Sequence, residues 1–130
     1  MNNPIKNKPK IIGIIGSRKR NSPSDFALLW NLFQTIYNPG DKIVSGGCPQ
    51  GGDHFAELIA EKFNLTIDNQ KLIIHYADWN NEGKSAGFIR NTFIAQDADL
   101  IIALVASDRK GGTEDTIKKA VKLHKQILII

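Results

Sequence analysis

At 130 residues, 42% of them hydrophobic and 23% charged, the chain has room for one globular domain with its own core and none for a second. The formal charge of +4 suits an anionic ligand, but Lys6, Lys8 and Lys10 fall in a polar leader and Lys118, Lys119, Lys122 and Lys125 on one late helix, so most of the excess is expected on a solvated surface. The single cysteine, Cys48, excludes an internal disulfide and a cysteine-built zinc site, no apolar run approaches the ~20 residues that span a bilayer, and nothing resembles a signal peptide, so a cytoplasmic location is expected.

Residues 1–9 read as the polar leader and residues 10–130 as the domain. Ile11-Ile12-Gly13-Ile14-Ile15 is continuously apolar and β-branched, the pattern of a strand buried on both faces of a parallel sheet. Gly16-Ser17-Arg18 follows as its exit turn, where a backbone close to a ligand favours glycine and a hydroxyl; Lys19 and Arg20 read as solvated neighbours. Ser22-Pro23 is an N-cap followed by a first helical residue, and Phe26, Leu29, Trp30, Phe33 and Tyr37 then recur at helical spacing until Pro39-Gly40. Leu28, Leu32 and Ile36 widen that apolar stripe to about half the circumference. One sheet face needs less, so helix 24–37 is expected to carry a homodimer interface, unless the leader or the loop 77–85 covers it.

A second strand, Lys42 to Ser45, leads into Ser45-Gly46-Gly47 and on to Gly51-Gly52-Asp53, a turn long enough to wrap an anion with backbone N–H groups. Asp53 is expected to cap the next helix, 53–63, with ribose hydroxyls as the other partner its carboxylate would suit. Cys48 in this loop reads as an inert thiol. After the third strand, Leu72 to Tyr76, the loop 77–85 carries Trp79, which either stacks on a base or latches the loop to the body. Gly83-Lys84-Ser85-Ala86-Gly87-Phe88-Ile89-Arg90-Asn91 sets two cations and two glycines around the start of helix 86–96, a natural anion site. Arg90 would grip phosphate oxygens in pairs; its other candidate partners are Asp97 and Asp99. Beyond the fourth strand, Leu100 to Val105, Gly111 and Gly112 would bring amides against a phosphate while Thr113 caps helix 113–124, and Glu114 and Asp115 suit the helix dipole. Gln126 to Ile130 is the last strand. His54, His75 and His124 share no metal-ligand spacing, so neither a metal nor a cofactor is expected.

Strands alternating with helices at this spacing predict a right-handed βαβ succession: an α/β, Rossmann-like three-layer fold with a five-stranded parallel sheet and helices on both faces. Its glycine-bearing turns all leave strand ends, so they converge on one edge and read as one site for a nucleotide or nucleotide-derived ligand. A basic groove interleaved with aromatics is missing, so neither a nucleic acid nor a membrane is expected as partner.

Taken in order, Gly-Ser-Arg, Ser-Gly-Gly through Gly-Gly-Asp, Asp78-Trp79, Gly83-Lys84, Ala86-Gly87, Arg90-Asn91, Ala98 to Ala103 and Gly111-Gly112-Thr113 resemble the SLOG superfamily, most closely its YspA-like (DUF2493) branch. The resemblance runs from Ile11 to Ile130, with Gly-Lys-x-Ala-Gly-x-x-Arg-Asn its most specific part, and it implies a Rossmann-like fold that binds nucleotides. The same superfamily includes Lonely Guy-type phosphoribohydrolases, which cleave the N-glycosidic bond of nucleoside 5′-monophosphates, and DprA-like single-stranded DNA binders. If the chain resembles the hydrolases in activity, Glu114 is the catalytic candidate, as a general acid/base or as a carboxylate that stabilises an oxocarbenium-like centre. Their Pro-Gly-Gly-x-Gly-Thr-x-x-Glu motif reads here Arg109-Lys110-Gly111-Gly112-Thr113-Glu114-Asp115-Thr116, with no proline, a shortened glycine spacing and threonine at the glutamate position. Binding is therefore expected ahead of hydrolysis.

Overall fold

Residues 8–130 are described by the computed structural model. Their elements are β1 (Ile11–Gly16), α1 (Pro23–Ile36), β2 (Lys42–Gly46), α2 (Gly52–Lys62), β3 (Leu72–His75), α3 (Trp79–Glu82), α4 (Ala86–Asp97), β4 (Leu100–Leu104), α5 (Gly112–Lys122) and β5 (Gln126–Ile129). Among the described residues the five strands form one parallel sheet in the order β3-β2-β1-β4-β5. This is the expected Rossmann-like three-layer fold. The chain reverses direction across the sheet between β1 and β4, which pair from Ile12 with Leu100 to Gly16 with Leu104.

The unbroken apolar runs are explained by what lies on the two faces. Successive strand side chains point to opposite faces. Ile12, Ile14, Ile43, Ile102 and Leu104 therefore pack with Leu29 and Phe33 of α1 and Phe55 and Ile59 of α2. Their neighbours Ile15, Val44, Ile101 and Ala103 pack with Ile94 and Ala95 of α4 and Ile117 and Ala120 of α5. Burying each large aliphatic side chain stabilises the fold by about 1.5–3 kcal/mol, so both helical layers contribute to a single stability.

Local signals set the ends of α1. Ser22 Oγ accepts the Asp25 N–H at 3.1 Å and the Ser22 N–H donates to Asp25 at 3.2 Å, a reciprocal capping box ahead of Pro23. The wide apolar arc is largely absorbed at home: Leu32 and Ile36 pack against the core, and Leu28 is the exposed member of that flank.

Several residues expected on the solvated surface are instead staples. Lys10 Nζ donates to the Ile36 carbonyl at 2.9 Å and pairs with the buried Asp41, which also accepts the Lys10 and Asn38 N–H groups. Arg20 pairs with Asp25 at 2.7 Å and donates to the Val105 and Ile130 carbonyls, tying the β1 exit to the ends of β4 and β5. Lys119 donates to the Phe88 carbonyl and Lys125 to those of Gln96 and Ala98. Ile36 and Gln96 lie in the last turns of α1 and α4, where carbonyls lack a helical partner and the helix dipole favours a cation. Lys6 lies outside the described residues. The segment 77–85 is also more ordered than a loop, because Asp78 accepts the Asn81 N–H at 3.3 Å and caps α3, after which Gly83–Ser85 forms a 3₁₀ turn.

Candidate functional site

A cleft of about 430 Å³ opens outside the carboxyl ends of β1 and β4, where the strand order reverses. One wall is the β1 exit, Gly16 to Lys19, and the facing wall is Asp108 with the stretch from Lys110 to Thr113 at the start of α5. Arg90, Asn91 and Ile94 of α4 close a third side, and Cys48 and Asp53 reach it from beyond β2. The fold thus brings together Gly16, Ser17, Arg18, Asp53, Arg90, Asn91, Gly111, Gly112 and Thr113 of the residues expected from the sequence.

The remaining candidates do not line the cleft, and their surroundings say why. Gly46 lies beneath it, where a Cβ would meet Arg90 Nη1 and Asp53 Oδ2 at 2.6 Å each. Gly47 makes room for the Tyr76 ring, which a Cβ would meet at 2.1 Å. Gly52 abuts the β1 exit, with a Cβ falling 2.4 Å from the Gly16 nitrogen. Trp79 lies beside Gly87, 3.3 Å from a Cβ placed there, and is largely exposed. Lys84 is exposed on the 3₁₀ turn. Glu114 is gripped by Arg109 through two bonds of 2.7 and 2.9 Å.

Two expected caps are corrected. Neither Asp53 nor Thr113 caps its helix: the N-cap positions are Gly51 and Gly111, at φ 75° and 104°, with no side-chain cap bond. Glycine adopts those angles at no steric cost, so the helices start one residue before Asp53 and Thr113 and both side chains fall inside the first turn. The start of α5, whose first amides have no partner within the helix, thus lines the cleft, and nothing lies within 4 Å of a Cβ at Gly111.

The Arg90 guanidinium is held from one side only. Its Nε donates to Asn91 Oδ1 at 2.9 Å, and its Nη groups make no hydrogen bond among the described residues. The two carboxylates expected to compete for it are engaged elsewhere, Asp97 with His75 at 2.5 Å and Asp99 with the Ile11 N–H at 2.8 Å. Asn91 is buried and spans two helices: its Nδ2 donates to the Gly112 carbonyl at 3.2 Å and to Asp115 at 3.1 Å, and Asp115 in turn holds Lys119. One amide therefore orients the guanidinium and fixes the start of α5.

Asp53 is 8% exposed. Ser45 Oγ lies 2.5 Å from the Ile14 carbonyl and 3.0 Å from Oδ1, so its one proton is shared between them, and the N–H groups of Cys48, at 3.3 Å from Oδ2, and Gly46 also donate to the carboxylate. Burial pushes its carboxyl above the usual aspartate range, and the Arg90 charge, together with these hydrogen bonds, offsets part of that rise. Lys19, read from sequence as solvated, is largely exposed and pairs with Asp108 at 2.6 Å across the rim of the cleft. Sequence reasoning also passed over Lys110, Ile94 and Thr116, which line the cleft. Lys110, next to Gly111-Gly112, was legible as a cation beside an anion turn, whereas Ile94 and Thr116 reach the cleft only through the packing of α4 and α5.

Among the described residues no cluster of His, Cys, Asp or Glu is arranged to hold a metal, and no helix is long and apolar enough to cross a membrane. No family model, no curated protein and no solved structure matches the chain.

Proposed function

We propose that this chain binds a nucleotide or nucleotide-derived ligand in the cleft at the sheet's reversal point, with the phosphate at the glycine-led start of α5. The carrying observation is the juxtaposition there of unpaired helix-start amides with Arg18, Arg90 and Lys110, none of which is neutralised by a carboxylate ion pair among the described residues. Amides and cations facing one cavity favour a multiply charged oxyanion. The likeness of these turns to the SLOG superfamily supports the same reading. Binding, as in a sensor, takes precedence over phosphoribohydrolase activity, because Glu114 is held by Arg109 outside the cleft. A homodimer through α1 remains part of the proposal with narrower support, the exposed Leu28.

Calorimetric titration of the protein with nucleoside mono-, di- and triphosphates tests the proposal. Micromolar binding to at least one, weakened in Arg90→Ala, is expected. No heat from any of them, or equal affinity in the variant, would remove the nucleotide or Arg90 from the site respectively. Light scattering of the wild type and Leu28→Glu tests the dimer, which a monomeric mass for the wild type would overturn.

A further inference from the structure

We propose that the Asp53 end of the cleft is a ribose subsite, so that the ligand is a ribonucleotide whose 2′ or 3′ hydroxyl donates to the Asp53 carboxylate. This rests on the nucleotide reading above and deepens it. A carboxylate buried to this degree is costly to keep ionised and needs a reason. Capping is not that reason, because the N-cap of α2 is Gly51, with no side-chain cap bond. Its protein partners leave acceptor capacity: each carboxylate oxygen carries two lone pairs, while the Ser45 hydroxyl, 3.0 Å from Oδ1, shares its one proton with the Ile14 carbonyl, and the backbone offers the N–H groups of Cys48, at a long 3.3 Å from Oδ2, and of Gly46.

The neighbouring guanidinium fixes what fits there. Arg90 Nη1 and Asp53 Oδ2 each stand 2.6 Å from where a Gly46 Cβ would be, yet the two form no direct ion pair. An acceptor-only group and a donor-only group set side by side, unpaired with each other, complement a hydroxyl, which donates to the first and accepts from the second. A phosphate oxygen would meet repulsion from Asp53, so the anion is directed to the Gly111-Gly112 end and the sugar to this one. The cleft's volume, about 430 Å³, lies within the range of small-ligand pockets. Gly46, which lines nothing itself, is needed because any side chain would occupy the space between the two groups.

The test is titration of the full chain with AMP, GMP, CMP and UMP and with their 2′-deoxy and 3′-deoxy counterparts, repeated on Asp53→Asn. At least one ribonucleotide should bind the wild type roughly tenfold or more tighter than one of its deoxy forms, because a site built around a hydroxyl leaves its own polar groups unpaired when that hydroxyl is missing. In Asp53→Asn that preference should vanish while the deoxy form keeps its affinity. A residue that only pins the loop after β2 would weaken both forms alike, and that result would overturn the assignment. So would equal affinities in the wild type, a measurement that stands even if the variant does not fold. If no nucleotide binds, the nucleotide reading itself falls; if ribo and deoxy forms bind equally, it survives and the ribose subsite falls.

Discussion

Two glycine pairs face the same end of the sheet and serve opposite purposes. Gly16 and Gly52 are pressed together: a Cβ on Gly52 would sit 2.5 Å from the Ile15 carbonyl carbon and 2.4 Å from the Gly16 nitrogen, and one on Gly16 would sit 3.0 Å from the Gly52 Cα. Gly111 and Gly112 stand open, with nothing within 4 Å of the first and only Asn91 Nδ2, at 3.7 Å, near the second. The same residue type thus brings protein backbone against protein backbone at one wall and leaves backbone bare at the other. Glycine at a strand exit is therefore no sign of a ligand by itself; the space around it decides.

The largest expected effect lies at the packed pair. Gly52→Ala would drive a methyl into rigid backbone rather than into a side chain that can turn away, so a loss of roughly 3 kcal/mol or more is expected, read as a fall in the denaturant midpoint. A normal midpoint would show that the β1 exit yields, and the contrast between the two pairs would disappear.

Next is the cation between them. Arg90→Ala should cost about 1.5–3 kcal/mol of nucleotide affinity, the scale of a charge-assisted hydrogen bond, and lower the thermal midpoint less than Gly52→Ala does, by the loss of the Asn91 bond and of the charge facing buried Asp53. Calorimetry and thermal melts on the same sample separate the two quantities.

At the open pair the signs should reverse relative to Gly52→Ala. Gly112→Ala places a methyl in a helical position with room for it, so stability should hold or rise by about 0.5–1 kcal/mol. Nucleotide affinity should fall by roughly 1 kcal/mol as the methyl keeps a phosphate from one amide. Unchanged affinity would place the anion elsewhere.

The smallest effect is a pH signature of the carboxylate beneath the cleft. Burial raises the Asp53 pKa in the folded protein above its unfolded value, so the native state takes up its proton first as pH falls. Stability from this group therefore grows as pH drops through the folded-state pKa, levels off below the unfolded one, and is lost again as pH rises. Asp53→Asn lacks that gain. The thermal midpoint of the wild type minus that of Asp53→Asn should increase from pH 7.5 toward pH 4.5, and a flat or falling difference would mean that Asp53 is not held against its charge.

Much of the architecture was written in local sequence. The uninterrupted Ile11 to Ile15 and Leu100 to Val105 runs announce strands covered on both faces, because period-2 alternation survives only where one face meets water. Ser22-Pro23 fixes the start of α1 because a capping box is closed by residues three apart. Residues at strand exits could be assigned to one edge because parallel connectivity leaves them nowhere else.

What sequence left open depended on distance through space. That Lys10 and Arg20 are staples rather than surface charges follows from the carbonyls of Ile36, Val105 and Ile130, which lie up to 110 positions away. That Lys84 and Trp79 miss the cleft while Arg90 and Asn91 enter it follows from where α4 crosses the sheet, since its second turn and not its first faces the strand ends. Glu114 and Asp53 are two carboxylates near helix starts, alike in sequence. Tertiary packing gave the first an arginine partner and set the second beneath Arg90, almost shut off from water, because only the folded chain determines which charges meet and how much solvent stands between them.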